Sequence, residues 1–117
     1  MTDSQQAVAA LFAGGDPDVR AAYERLLEAL RAIGPFAEQP KQTSIHLARA
    51  TGFAGVHPRK RSLTLNLRTD SPIASPRLAR VERVSKNRYH NEIKLNHPDQ
   101  VDAELVGWLR AAYALGE

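Results

Sequence analysis

The chain has no cysteine among its 117 residues. That absence excludes disulfide staples, thiolate metal sites and cysteine nucleophiles, and it suits a reducing cytoplasm, the expected location. Aromatic residues are scarce as well, at 6%. Phe53, Tyr89 and Trp108 fall within apolar patterns, so recognition of single-stranded nucleic acid by base stacking is not expected. No apolar run approaches the roughly 20 residues that a membrane span needs. The start, Met1-Thr2-Asp3-Ser4-Gln5-Gln6, has neither the basic nor the apolar block of a secretory signal. No membrane association is therefore expected. Internal repeats and low-complexity tracts are also missing.

What remains, 43% apolar and 25% charged, is ordinary globular composition and enough for one modest core. The spacing predicts a short helix from Asp3-Ser4 to about Ala13, and residues 1–15 read as a helical arm or linker ahead of a single domain over 16–117. Asp16-Pro17 is a helix-start signal, and Val19, Ala22, Tyr23, Leu26, Leu27, Leu30 and Ile33 recur at helical steps until Gly34-Pro35 stops them. Pro98-Asp99 is predicted to open a last helix with Val101, Leu105, Trp108, Leu109, Ala112 and Tyr113 on its apolar stripe. Trp108, in the middle of that stripe, reads as a core anchor.

Between the helices the period changes to two. Ile45 and Leu47 alternate with Ser44 and His46, while Leu63, Leu65 and Leu67 alternate with Thr64, Asn66 and Arg68. Phe53 and Val56 have opposite parity although both look core-bound, which predicts a short strand with a bulge. Phe36 to Pro40 reads as a connector, and Asp70 to Pro76 as a proline-punctuated, mobile loop. Residues 79–85 fit either a twisted strand or a helical turn, with the strand preferred. From Arg88 to Asn96, Tyr89, Ile93 and Leu95 alternate with His90, Glu92 and Lys94. The expected fold is α+β, an antiparallel four- or five-stranded sheet with N- and C-terminal helices packed on one face.

Charge is distributed unevenly along this plan. From Lys41 to Lys94 the chain carries twelve Lys or Arg against three acids, Asp70, Glu82 and Glu92, and the flanks are acidic. With the helices covering the aliphatic face, the positive field should gather on the other face, where an anion would be attracted. The candidate anion-binding residues are Lys41, His46, Arg59, Lys60, Arg68, Arg80, Arg88 and Lys94, with Asn66, His90 and Glu92 as polar company.

The strings Thr43-Ser44-Ile45, Phe53-Ala54-Gly55-Val56, Pro58-Arg59-Lys60, Pro76-Arg77, and Asp102 with Leu105 and Trp108-Leu109-Arg110-Ala111-Ala112-Tyr113 occur in an order that resembles the small bacterial domain-of-unknown-function family numbered 5655. The resemblance runs from about Pro17 to Gly116. It implies no activity. Some relatives are labelled predicted transport proteins and some carry the domain beside nuclease-like modules, which implies an accessory or nucleic-acid context. Relatives often begin with a short cysteine-bearing segment that this chain lacks.

No motif dictates a reaction, and no cofactor or resident metal is expected. Glu92-x-Lys94 with Asp70 upstream has the residue types of a metal-dependent nuclease, since i and i+2 on a strand point the same way. Of the histidines His46, His57, His90 and His97, His46 and His90 share a face if the registers align, but neither stands at zinc-ligand spacing; His97 reads as a helix-start residue. The favoured expectation is a non-catalytic binding module whose basic sheet face meets an anionic partner, with nucleic acid as one candidate. The alternatives are interaction or self-association through a sheet edge, giving a homo-oligomer, and the nuclease-like enzyme.

Overall fold

The computed structural model describes residues 3–117. Its second helix, α2 (Pro17–Ile33), follows the predicted periodicity: Val19, Ala22, Tyr23, Leu26, Leu27 and Leu30 are all buried. Pro17 occupies the first turn, where its missing N–H leaves nothing unsatisfied. Asp16 is the N-cap residue, but it caps without its side chain. Asp16 forms no capping hydrogen bond with its carboxylate; instead its backbone N–H donates to the Lys60 carbonyl at 2.8 Å, tying the helix start to a sheet turn. Helix α1 (Asp3–Phe12) brings Val8 and Phe12 into the core cluster, where the Phe12 ring lies 5.0 Å from that of Tyr23. Gly14, at φ 79°, takes the left-handed conformation that breaks α1 from α2.

The sheet has six strands, β1 (Ala37–Pro40), β2 (Ile45–Ala48), β3 (Gly52–Pro58), β4 (Leu63–Thr69), β5 (Leu78–Ser85) and β6 (Arg88–Leu95), in the order β1-β2-β3-β4-β6-β5. Every pair is antiparallel. The α+β architecture is as expected, but the count of four or five strands is corrected to six. The strand missed from sequence is β1, whose Ala-Glu-Gln-Pro has no apolar alternation to betray it. Among the described residues it pairs only with β2, and an edge strand with no buried residue needs no such pattern. Glu38 fixes it to the helical layer by accepting a hydrogen bond from the Tyr23 hydroxyl at 2.8 Å.

The bulge expected at Phe53 is present. Leu47 pairs with Ala54 and Ala48 with Gly52, so Phe53 is an extra residue on β3. It is fully buried and meets Tyr113 edge-on at 5.4 Å. Strand β5 is exposed along nearly its whole length, which is why its sequence fits no period. The loop from Asp70 to Pro76 carries the chain past β6 to the far edge. Contrary to its loose sequence it is anchored: the Ile73 N–H donates to Asn91 Oδ1 at 3.1 Å, while Asn91 Nδ2 donates to Leu67 O and Thr69 Oγ1 at 2.9 and 2.8 Å.

Pro98–Gln100 forms a 3₁₀ turn rather than the start of the last helix, with His97 as its cap as read from sequence. Helix α3 (Ala103–Leu115) begins later, at an Asp102 cap whose carboxylate accepts the Leu105 N–H at 3.0 Å. Leu105, Leu109, Ala112 and Tyr113 pack on the aliphatic sheet face formed by Ile45, Leu47, Val56, Leu63, Leu65, Leu67, Ile93 and Leu95. Trp108 is not the core anchor expected. It is partly buried at the rim of the core, and the Arg77 guanidinium sits 5.5 Å from its ring. Gly34 is required by space rather than by conformation, because a Cβ there would collide with the Tyr113 hydroxyl, which donates to Pro35 O at 2.7 Å.

Candidate functional site

Strand pairing sets Gln39, His46, Gly55, Asn66, Glu92 and Arg80 in one line across all six strands, on the face opposite the helices. In antiparallel sheets, residues directly opposite share a face, so these side chains stand together although they come from separate stretches of the chain. Gly55 is the gap in that line. A Cβ at Gly55 would meet nothing within 4 Å, and the missing side chain leaves a basin of about 90 Å³ lined by His46, Ala54, Gly55, His57, Asn66, Arg68 and His90. That is the volume of about three waters, or of one small oxyanion.

The basin is rich in donors and poor in acids. Arg68 makes one hydrogen bond, to Gly52 O at 3.0 Å, and among the described residues it forms no ion pair. The Asn66 Oδ1 is buried without a hydrogen-bond partner. Leaving such an acceptor unpaired costs about 1–3 kcal/mol, a cost a bound proton donor removes. His46 titrates below its ordinary value of 6.5: loss of water over the sheet face is the largest cause, followed by the positive charges of Lys41, Arg68 and His57. Desolvation does most of this, and the smaller part contributed by Lys41, Arg68 and His57 reflects the cations gathered on this face.

Of the residues expected on this face, His46, Asn66, Arg68 and His90 converge on the basin, with Lys41 at the β1–β2 turn close enough to act on His46. Arg88 joins Arg68 and His90 along an adjoining groove of about 500 Å³ beside Val84 and Leu115. Arg80 is held by Glu82 at 2.6 Å. Lys94 is exposed opposite Thr64, and Glu92 lies between Asn66 and Arg80. Arg59 and Lys60 occupy the β3–β4 turn, whose carbonyls face Gly15 and Asp16 at the helical end of the molecule, away from the basin. Two further basin residues, His57 and Gly55, were not among the anion-binding residues expected from sequence. Their signal was parity: Gly55 and His57 alternate with Val56, so once Val56 is core they must face out.

The nuclease-like set is not assembled. Asn66 is opposite Glu92, and Asp70 lies four residues further along the chain, just past the end of β4, roughly 13 Å away at ~3.3 Å per residue. Among the described residues no three of His, Asp and Glu converge as a metal-ligand set. No helix among them is long and apolar enough to cross a membrane.

Comparison with curated proteins and with solved structures finds no match. The family model for a domain of unknown function, DUF5655, matches residues 8–116, nearly the whole chain and reaching into α1, and this chain belongs to that family.

Proposed function

We propose that this domain is a non-catalytic binding module that takes an oxyanion, a phosphate group above all, in the basin over Gly55. The observation that carries the reading is the convergence of His46, His57, Arg68 and His90, from four different strands, around a glycine floor and an unpartnered Asn66 Oδ1. Arg68 supplies the fixed charge and the histidines supply N–H donors in either protonation state. Asn66 Oδ1 accepts the hydroxyl of a phosphate that retains a proton. A phosphomonoester or inorganic phosphate satisfies that acceptor, whereas a nucleic-acid diester has no proton to give and leaves Asn66 Oδ1 unpaired.

The test follows the histidine ring signals by NMR while inorganic phosphate and, separately, a short DNA duplex are titrated in. Phosphate is expected to shift His46, His57 and His90 together, and in Arg68→Ala the same shifts should need about tenfold more phosphate. A duplex response that weakens steeply with salt assigns the site to a nucleic-acid backbone. Histidine signals that stay still with both ligands overturn the reading.

A further inference from the structure

We propose that the outer edge of β5 is a self-association surface at which a second copy of this chain pairs antiparallel about Val81. The proposal does not depend on what the basin binds. Strand β5 ends the sheet, and among the described residues its outer edge is paired with no other strand. Such an edge presents free N–H and C=O groups that natural proteins usually cover or blunt. Here it is long, at 8 residues, with no proline in it. It also carries Val81 and Val84, 40% and 46% exposed, the exposed large hydrophobic residues found among the described residues.

The occupant is indicated by charge order. Bulges at Ala79 and Val84 leave Arg80 to Arg83 as the regular stretch. Two copies of one strand, related by a twofold axis perpendicular to a shared sheet, must pair with the axis passing through a residue, because opposite residues share a face. An axis through Arg80 or Arg83 sets two arginines against each other, and one through Glu82 sets two glutamates together. Through Val81 the result differs. Arg80 of each copy faces Glu82 of the other, Val81 meets its own image, and Arg83 lies opposite Ala79. The Arg80–Glu82 contact now made within one strand, at 2.6 Å, is exchanged for two across the dyad. The six-stranded sheet would then continue into its copy with both basins opening on the same side.

The experiment is sedimentation velocity of the full chain over a concentration series, with R80E, E82R, the double variant R80E/E82R, and V81K. All three positions are exposed and outside the core, and a thermal melt of each variant confirms that it is folded. The wild type is expected to dimerise with concentration. R80E and E82R each place like charges opposite one another and weaken the dimer about tenfold or more. The double variant restores the opposition and should return close to wild type, while V81K, with two lysines on the dyad, should be monomeric. A wild type that stays monomeric overturns the proposal, as does a dimer indifferent to the single swaps or one that the double variant fails to restore. In the indifferent case, association lies elsewhere on the surface.

Discussion

Arg77 and Arg68 stand at the borders of the same sheet and meet opposite surroundings. Arg77, partly buried, donates to both Asp102 oxygens at 2.9 and 3.1 Å, to Glu104 at 3.0 Å and to Gln100 O at 2.7 Å, with Trp108 beside it. Arg68 has one carbonyl and a ring of histidines. In the first region the cation is compensated by acids of the α3 start, and the product is a clamp holding the entrance of β5 to the last helix. In the second the chain supplies cations and no matching acids, and leaves Asn66 Oδ1 unpaired. A charge completed within the chain serves the fold. One left incomplete is available to something outside it.

The sharpest way to break this contrast is to remove each arginine in turn. Arg77→Ala is expected to cost about 2 kcal/mol in urea unfolding, because it strips a partly buried guanidinium from several charge-assisted bonds. Arg77→Lys should recover little of this, since an ammonium cannot span the same acceptors. Arg68→Ala should change stability by less than about 0.5 kcal/mol while phosphate affinity drops on the order of tenfold, or about 1.4 kcal/mol. Equal stability losses at the two sites would abolish the distinction.

Acid should act on the clamp. The Asp102 carboxyl is held below its ordinary value of 3.8, first by the Leu105 N–H and then by Arg77. A lowered carboxylate value stabilises the fold above the unfolded-state value and loses that stabilisation as pH falls through the folded-state one. Urea midpoints measured from about pH 5 down to about pH 2 should decline, and less steeply in Asp102→Asn. His46 should give a smaller effect in a different window. Its folded-state value lies below 6.5, so the unfolded chain takes up the proton first and stability drops as pH falls below that value. The groups acting on it are Lys41 from the β1–β2 turn, Arg68 from β4 and His57 from β3. Added phosphate should reduce the slope, and His46→Gln should remove it. Asn66→Ala is expected to stabilise the unliganded protein by about 1 kcal/mol, because it removes a buried acceptor that has no partner in the fold.

Several elements were legible because one residue pattern sufficed to define them. Helix α2 followed from three- and four-residue apolar spacing, the sheet's core face from Leu63, Leu65 and Leu67, and the β3 bulge from the clash of parity between Phe53 and Val56. Other readings failed where a partner outside the segment decides. Strand β1 exists because β2 offers it an edge and Tyr23 holds Glu38. Trp108 sits at the rim because Arg77 takes one side of its ring. Asp16 is oriented by the Lys60 carbonyl rather than by its own helix, and Pro98-Asp99 is diverted into a 3₁₀ turn whose cap is His97.

The sequence alone determined which face of each strand is aliphatic and that the cations lie in its middle stretch, since alternation and composition are properties of consecutive residues. Only the tertiary structure decided which cations are neutralised and which converge. Pairing of His46 with Gly55, and of Gly55 with Asn66, is a matter of inter-strand register, set by how β2, β3 and β4 bury their aliphatic sides together against α2 and α3. A slip of one residue would turn the basin's side chains into the core.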